Sequence, residues 1–486
     1  MKTLTKIGLI LILFLAVTIN LSAQEIFDAV RNGDLAKVKE LVEKGADINV
    51  EKRGLTPIYF AMVVNNKGIV DYLLDQNAKL PNVGTPNSSM YLNSALKIGS
   101  LKYLEKCLQQ GLNSLIETES KNTLLHYASE SNSKELVIKL IELGVPVNKT
   151  NIYGWTPLHM AAYRGNKSVA ELLILKGADM NVRSIDGCTP YNLGNESKKT
   201  DVVDYLIGLG ADRSPQKFPK LIGEYFGQPK PGRKAIPFAP GIISPKVSLH
   251  SSITFSPDGK EAFWKTIFRN KIMTSKKVNN KWTVPDSIGS VSWGDVPFIS
   301  PNGNKLYLMT IKQVDGKEKE VISVMDKTPN GWSEPHELPD VINSIPGIHW
   351  QFSVDRNENL YFSVSNNAQE NRIYYSEYKS GKYSEPRIFE NLKDVNASMP
   401  YISPDGSFLI ITAREGFKIL FKKKDGTWNN GRTITDIIGM VGMCPIVTHD
   451  GKYLFFWMTL DGNNIPYWVD ASFIEDLRKE ALKDDK

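Results

Sequence analysis

A short Thr-Pro element recurs through the first half of the chain at a nearly fixed step. TPIYFA begins at Thr56, MYLNSA at Met90, TLLHYA at Thr123, TPLHMA at Thr156 and TPYNLG at Thr189, with offsets of 34, 33, 33 and 33 residues. A unit this short cannot bury its own apolar face, so it must stack on copies of itself. Each copy precedes an amphipathic run: GIVDYLLDQNA, SLKYLEKCLQQG, ELVIKLIELG, SVAELLILKGA and DVVDYLIGLGA. The step therefore reads as helix, turn, helix. Proline suits the first helical turn, where its missing N–H is not needed. Glycine after the second run accepts the left-handed conformation that ends a helix.

These units resemble ankyrin repeats, and GWTPLHMAAYRGNKSVAELLILKGADMNV, from Gly154, is close to that family's consensus throughout. EIFDAVRNGDLAKVKELVEKGADINV, from Glu25, resembles an N-terminal repeat without its turn. About six repeats are expected over residues 24–213, the third degenerate. The resemblance implies that His126 and His159 hydrogen-bond between neighbouring repeats. It also implies protein binding on the concave face and at the turn tips, which makes Arg53, Tyr153, Trp155 and Asp186 the candidate protein contacts. Solvated turn positions, or packing between turns for Trp155, are the competing roles.

The second half repeats something else. SPDGKEAFW at Ser256 returns as SPNGNKLYL at Ser300, VDRNENLYF at Val354, SPDGSFLII at Ser403 and THDGKYLFF at Thr448. A catalytic motif normally stands once, so a motif written five times is architecture. Asp-Gly or Asn-Gly between short β-rich runs signals a hairpin; Gly supplies the positive φ and Asp bonds its own turn. Four such runs belong to each copy, the last marked by WTVPDSI, WSEPHEL, YSEPRIF or WNNGRTI. Four strands per unit repeated about an axis describe a β-propeller. The turn and the aromatic second strand resemble TolB-like propeller repeats, over residues 236–472. The fifth unit lacks a fourth run, and polar SFIEDLRKEALKDD follows it, read as a C-terminal helix within 473–486. AIPFAPGII, residues 235–243, precedes the first turn at the spacing of a fourth strand. It is expected to complete the last blade and close a five-bladed ring; six blades are the alternative. The fold class is thus multidomain, an all-α ankyrin solenoid followed by an all-β propeller from residue 235. Proline-rich residues 214–234 join them as a stiff linker, with Tyr225 and Phe226 marking a packed stretch.

Propeller sites usually lie at the channel mouth, beside the start of the innermost strands. The residues five places before each turn are Ser251, Asp295, His349, Ser398 and Met443, with His250, Trp350 and Gln351 beside them. Asp295 and His349 would come from adjacent blades. Such a ring suits a sugar, a peptide end or a metal ion; a plug of hydrogen-bonded side chains is the alternative. His336 and His449 read as surface residues.

MKTLTK followed by IGLILILFLAVTI has the charge and length of a signal peptide over residues 1–23, too short for a comfortable membrane span. That places the mature chain in the periplasm or outside the cell, with no membrane span. Cys107, Cys188 and Cys444 are too scattered for a disulfide framework or a metal cluster. A net charge of +6 without a dense basic block argues against nucleic acid. No phosphate loop, G-x-S-x-G elbow or H-E-x-x-H motif occurs, so no catalytic residue, cofactor or metal is nominated. The reading is an exported, non-enzymatic interaction protein whose ankyrin stack binds a protein and whose propeller is a second platform. The alternative is a glycan- or small-ligand-binding propeller, extending to hydrolysis, with the ankyrin array as its docking module.

Overall fold

The computed structural model describes residues 24–52, 54–243, 252–266, 271–288, 294–314, 317–365, 370–460 and 463–483. The chain divides into two compact units, Met1–Lys217 and Phe218–Lys486. The signal-peptide segment lies outside the described residues.

The first unit is a stack of helical hairpins. After a helix over residues 24–31 and its partner Leu35–Glu43 come the pairs Pro57–Val63 with Lys67–Asp75, Pro86–Lys97 with Leu101–Gln109, Leu124–Ser129 with Lys134–Glu142, Pro157–Arg164 with Lys167–Leu175, and Pro190–Glu196 with Thr200–Gly208. Thr56, Thr85, Thr123, Thr156 and Thr189 stand at the five N-caps in extended conformation. One continuous core runs through the stack, including Leu73, Leu104, Leu125, Leu140, Leu158 and Leu173. Each such buried side chain contributes about 1.5–3 kcal/mol, which only stacking makes available.

The third repeat departs from the period. Its first helix begins at Pro86, not near Met90, so Thr85 caps a helix of 12 residues where the other Thr-capped first helices have 6 to 8. The extra turn consumes residues that in the later repeats form the projecting loop, here called the finger.

The second unit is a five-bladed propeller. Its inner-to-outer strand order is repeated in Thr254–Phe255, Glu261–Thr266, Lys271–Val278; Asp295–Ile299, Lys305–Val314, Lys317–Thr328; Ile348–Val354, Leu360–Ser365, Asn371–Ser376; and Ala397–Ile402, Phe408–Ala413, Gly416–Phe421. Short outer strands such as Lys281–Trp282, Arg387–Ile388 and Arg432–Thr433 complete them. The fifth blade, Met443–Val447, Tyr453–Leu460 and Asn463–Asp470, takes its outer strand from Ile236–Pro237, with Ile236 opposite Trp468. Closure by strand exchange therefore occurs where the spacing of AIPFAPGII placed it, and it removes a sheet edge open to foreign strands.

Four of the five turn motifs are held by one device, a Ser or Thr hydroxyl bonded to the Asp or Asn two residues on. The hydroxyl of Ser256 donates to Asp258 Oδ1 (2.6 Å) and accepts the N–H of Glu261 (2.8 Å). Ser403 with Asp405 and Thr448 with Asp450 repeat it at 2.7 and 2.6 Å. These aspartates are backbone fasteners, and the hydrogen bonds from serine or threonine and from the backbone hold Asp258, Asp405 and Asp450 below the usual carboxylate range against the opposing effect of burial.

The proline-rich joint is absorbed into both units. In the first, Lys217 N–H reaches Gly187 O (3.3 Å). In the second, Trp282 N–H donates to Leu221 O (2.9 Å) and its indole to Gly223 O (2.8 Å). Tyr225 and Phe226 take left-handed φ of 47° and 57°, which drives their rings into the seam between the first and last blades. Tyr225 meets Phe255, Tyr453 and Trp468, while Phe226 packs on Trp282 at 4.3 Å. The helix Phe473–Ala481 lays Arg478 over Phe408.

Candidate functional site

The two regions nominated by the sequence, the finger tips and the propeller mouth, belong to different units. In each of the last three fingers the fourth residue's N–H closes a β-turn on the first residue's carbonyl: Lys121 on Thr118 (2.8 Å), Gly154 on Asn151 (2.9 Å) and Gly187 on Ser184 (2.8 Å). A turn of this kind leaves the second residue's N–H unused. Here that group reaches back to the preceding finger, Ile152 to Ser120 O and Ile185 to Tyr153 O, both at 3.0 Å. Asn151 adds a side-chain rung to Asn122 (2.9 Å).

This stacking corrects the expectation of exposed tips. Tyr153, Trp155 and Asp186 are all buried, none more than 8% exposed; Arg53 lies outside the described residues. Trp155 packs on His159 and Tyr163, and Asp186 accepts hydrogen bonds from Ser184, Cys188 and Gln216. These side chains hold the finger row together. Among the described residues of this unit, the large apolar groups left in solvent are Val63, Val64, Leu115, Ile116, Leu175, Ile185, Ile207 and Leu209.

His126 and His159 are fully buried. Thr156 N–H donates to His159 Nδ1 (3.1 Å), so Nε2 carries the proton and donates to Cys188 O in the next repeat (3.2 Å). His126 does the same between Thr123 and Trp155 O (3.0 Å). Burial pulls both rings down to about 4. Asn192 takes this place in the last repeat, accepting from Thr189 and donating to Ser214 O. On the helix side, Glu130 is clasped between Lys97 (3.6 Å) and Arg164, which cover the rings of Tyr127 and Tyr163.

In the propeller, four inner strands carry a β-bulge at one level, between Asp295 and Phe298, His349 and Phe352, Ser398 and Tyr401, and Met443 and Ile446. The nominated positions Asp295, His349, Ser398 and Met443 thus share one ring. Val296, Met399 and Cys444 follow three of them with φ of 49°, 56° and 55°, and each precedes a proline. A left-handed residue before proline is disfavoured twice over, so about 1–3 kcal/mol of strain is held at each. The bulges turn carbonyls inward. Gln351 Nε2 donates to Pro445 O (2.9 Å), Ser353 Oγ to Pro400 O (3.0 Å) and Tyr401 OH to Val447 O (2.9 Å). Below them a cavity of about 10 Å³ remains, room for at most a single water. At this level the described side chains fill the channel.

At the mouth, Asp295 is buried and accepts Val296 N–H (2.7 Å). Beside it lies a residue the sequence reading missed: Lys265, buried in the first blade, donates to Gly294 O (2.6 Å). Burial pulls its ammonium below the usual lysine range and Asp295 opposes that pull. Its signal was a lysine inside EAFWKT on the face of Phe263. Ser398 is half-buried opposite Thr412, and Met443 lies opposite Trp457. Thr412 Oγ1 is enclosed without a hydrogen-bond partner; burial pushes the Cys444 thiol up to about 12, an effect that the Trp457 indole beside it opposes. His349 and Trp350 are described here only by their strand positions, and His250 and Ser251 lie outside the described residues. His449 is not a surface residue: it lines the cavity, and burial lowers it to about 4. His336 is exposed near Asp326 (3.7 Å). Among the described residues no group of three His, Cys, Asp or Glu side chains could hold a metal ion, and no helix is long and apolar enough to cross a membrane.

The first unit is a row of ankyrin repeats and the second a five-bladed β-propeller. Family models of ankyrin repeats match residues 26–105 and 125–174. A Rickettsia felis protein, provisionally described as an ankyrin repeat protein, is 30% identical over 128 residues, 26% of this chain and 44% of that protein. A Danio rerio protein, provisionally described as the palmitoyltransferase ZDHHC13, is 26% identical over 137 residues, 28% of this chain and 21% of its own. The chain thus spans less than half the length of the curated relatives it matches.

Proposed function

We propose that this is an exported, non-enzymatic interaction protein whose ankyrin unit binds a protein partner and whose propeller serves as a second rigid platform. The observation that carries the reading is the ankyrin stack itself, an architecture that generally mediates protein binding. It keeps Val63, Leu115, Ile116 and Ile185 in solvent while its polar finger side chains are spent on internal packing. Export rests on the charged and apolar leader over residues 1–23. The test is affinity purification of the tagged full chain from its native cells beside a Val63→Asp, Ile185→Asp variant. A stoichiometric partner lost with the variant supports the reading; partners captured equally by both remove it. N-terminal sequencing of the same material should begin at Gln24 if the leader is cleaved.

A second reading is favoured by the mouth of the propeller, where Lys265, Asp295 and the unpartnered Thr412 hydroxyl share one level. Enclosed polar groups without partners cost about 1–3 kcal/mol each, and a small polyhydroxyl ligand would relieve that cost. Glycan and nucleotide-sugar panels, screened against the chain and an Asp295→Ala, His349→Ala variant, decide it. Binding that vanishes in the variant makes the propeller a ligand module.

A further inference from the structure

In three places the loop after a second helix is tied to the next repeat by an asparagine. Asn49 Oδ1 accepts the N–H of Lys79 (2.7 Å), Asn148 Oδ1 that of Asp179 (2.9 Å) and Asn181 Oδ1 that of Asp212 (2.8 Å). Asn148 also donates to Gly177 O (2.8 Å). Each asparagine stands four residues after the left-handed glycine that ends its second helix, Gly45, Gly144 or Gly177. Between the third and fourth repeats Ser114 makes the tie instead, donating to Leu143 O (3.4 Å).

The second repeat is built differently. Its left-handed residue is Asn77, with φ of 60°, and four places on stands Pro81, whose side chain has no hydrogen-bonding group. A cleft of about 670 Å³ opens at this point, between the loop that leads to the early Thr85 cap and the end of the helix Leu101–Gln109. Its lining carries the ammonium groups of Lys79 and Lys106, the amides of Asn77, Asn82, Gln109 and Gln110, and no carboxylate. Asp75 and Glu105, the acids nearest in sequence, do not line it, and Asp75 is held by Lys102 (2.6 Å).

We propose that this cleft is the docking site for an acidic peptide segment of a protein partner. Aspartate or glutamate side chains pair with Lys79 and Lys106, while the amides bond the peptide backbone, which offers both donors and acceptors. Charge complementarity selects this occupant. A basic segment would add positive charge to the cleft, and a neutral one would bring no counter-charge to either lysine. The size selects a peptide over a lone carboxylate, since clefts of about 300–1,000 Å³ enclose a molecule of several side chains' bulk. The proposal rests on the reading of the ankyrin unit as protein-binding, and it names the partner's chemistry and the place where it binds.

The test pans phage-displayed random dodecapeptides against the full chain and remeasures enriched peptides by fluorescence polarisation. Enriched sequences should carry net negative charge, and Lys79→Glu with Lys106→Glu should weaken their binding roughly tenfold or more. A charge-matched control outside the cleft, Lys139→Glu with Lys176→Glu, should change it less than about threefold. Pro81→Asn leaves every charge in place. By restoring the tie towards Gly111 and Asn113, the residues equivalent to Gly177 and Asp179, it should narrow the cleft and weaken binding about fivefold. On the unmutated chain, bound peptide should slow hydrogen exchange within residues 77–85 and 106–110, a readout that stands even if a variant misfolds. Several results would each overturn the proposal: enriched peptides without acidic residues, equal losses in the two double variants, unchanged binding in Pro81→Asn, or protection confined to other segments. So would displacement of the peptide by equimolar free glutarate, self-association abolished by Lys79→Glu with Lys106→Glu, or no enrichment at all. A native partner lost with Val63→Asp, Ile185→Asp but kept by Lys79→Glu, Lys106→Glu would remove this site and leave the protein-binding reading standing.

Discussion

The two buried histidines make the ankyrin unit sensitive to mild acid, and the last repeat shows how to remove that sensitivity. His126 and His159 sit near pKa 4 in the fold and near 6.5 when unfolded. A base with a depressed folded value binds fewer protons than its unfolded form between those two limits. Its contribution is therefore complete above pH 6.5 and is lost as pH falls towards 4. Between pH 7 and pH 5 each ring should lose about 2 kcal/mol, so the pair should lose about 4 kcal/mol. Asn192 performs the same capping and bridging without titrating. Replacing both rings, His126→Asn with His159→Asn, should therefore flatten the slope at a modest cost at pH 7. Urea titrations followed by helical circular dichroism at pH 7, 6 and 5 report on this unit, because its partner unit is nearly all β. Equal pH slopes in the parent and the double variant would refute the claim that these rings are held neutral by burial.

Phe238→Ala empties a fully buried site against Phe226, Phe455 and Trp468 beside the exchanged strand. It should destabilise the propeller by about 3–5 kcal/mol, read from tryptophan emission, with helical melting unchanged. Gly187→Ala asks a left-handed residue, φ 83°, to place a Cβ 2.0 Å from Lys217 O. The terminal segment should lift, exposing residues 214–217 to limited proteolysis while the earlier repeats stay protected. Glu130→Ala leaves Lys97 and Arg164 facing each other without the carboxylate between them. A loss of about 1–3 kcal/mol in chemical denaturation is expected, shrinking in high salt.

Both periodicities were legible because each repeats a backbone requirement: Thr-Pro at helix starts, Asp-Gly at hairpins. Even the exchanged strand could be found, since its spacing from the first turn matches the spacing within every blade. Other features depend on relations that no local pattern carries. Tyr153, Trp155 and Asp186 look like tip residues in one repeat and become core only when neighbouring fingers pair. Aligning the third repeat on Met90 hid the Thr85 cap, because a strict period assumes that every finger exists. The joint looked like a spacer because prolines favour extended chain, yet its aromatic pair belongs to the propeller seam. At the mouth the ring positions were found by register, while Lys265 was overlooked as one polar letter in an apolar strand.

The exchanged strand also imposes a timetable. Ile236 is made early, but its partner Trp468 emerges about 230 residues later, and no shorter piece of chain can latch the circle. Until then the nascent polypeptide is a row of blades without its closing sheet. On the export proposed above, late latching would keep the chain pliable until it has crossed.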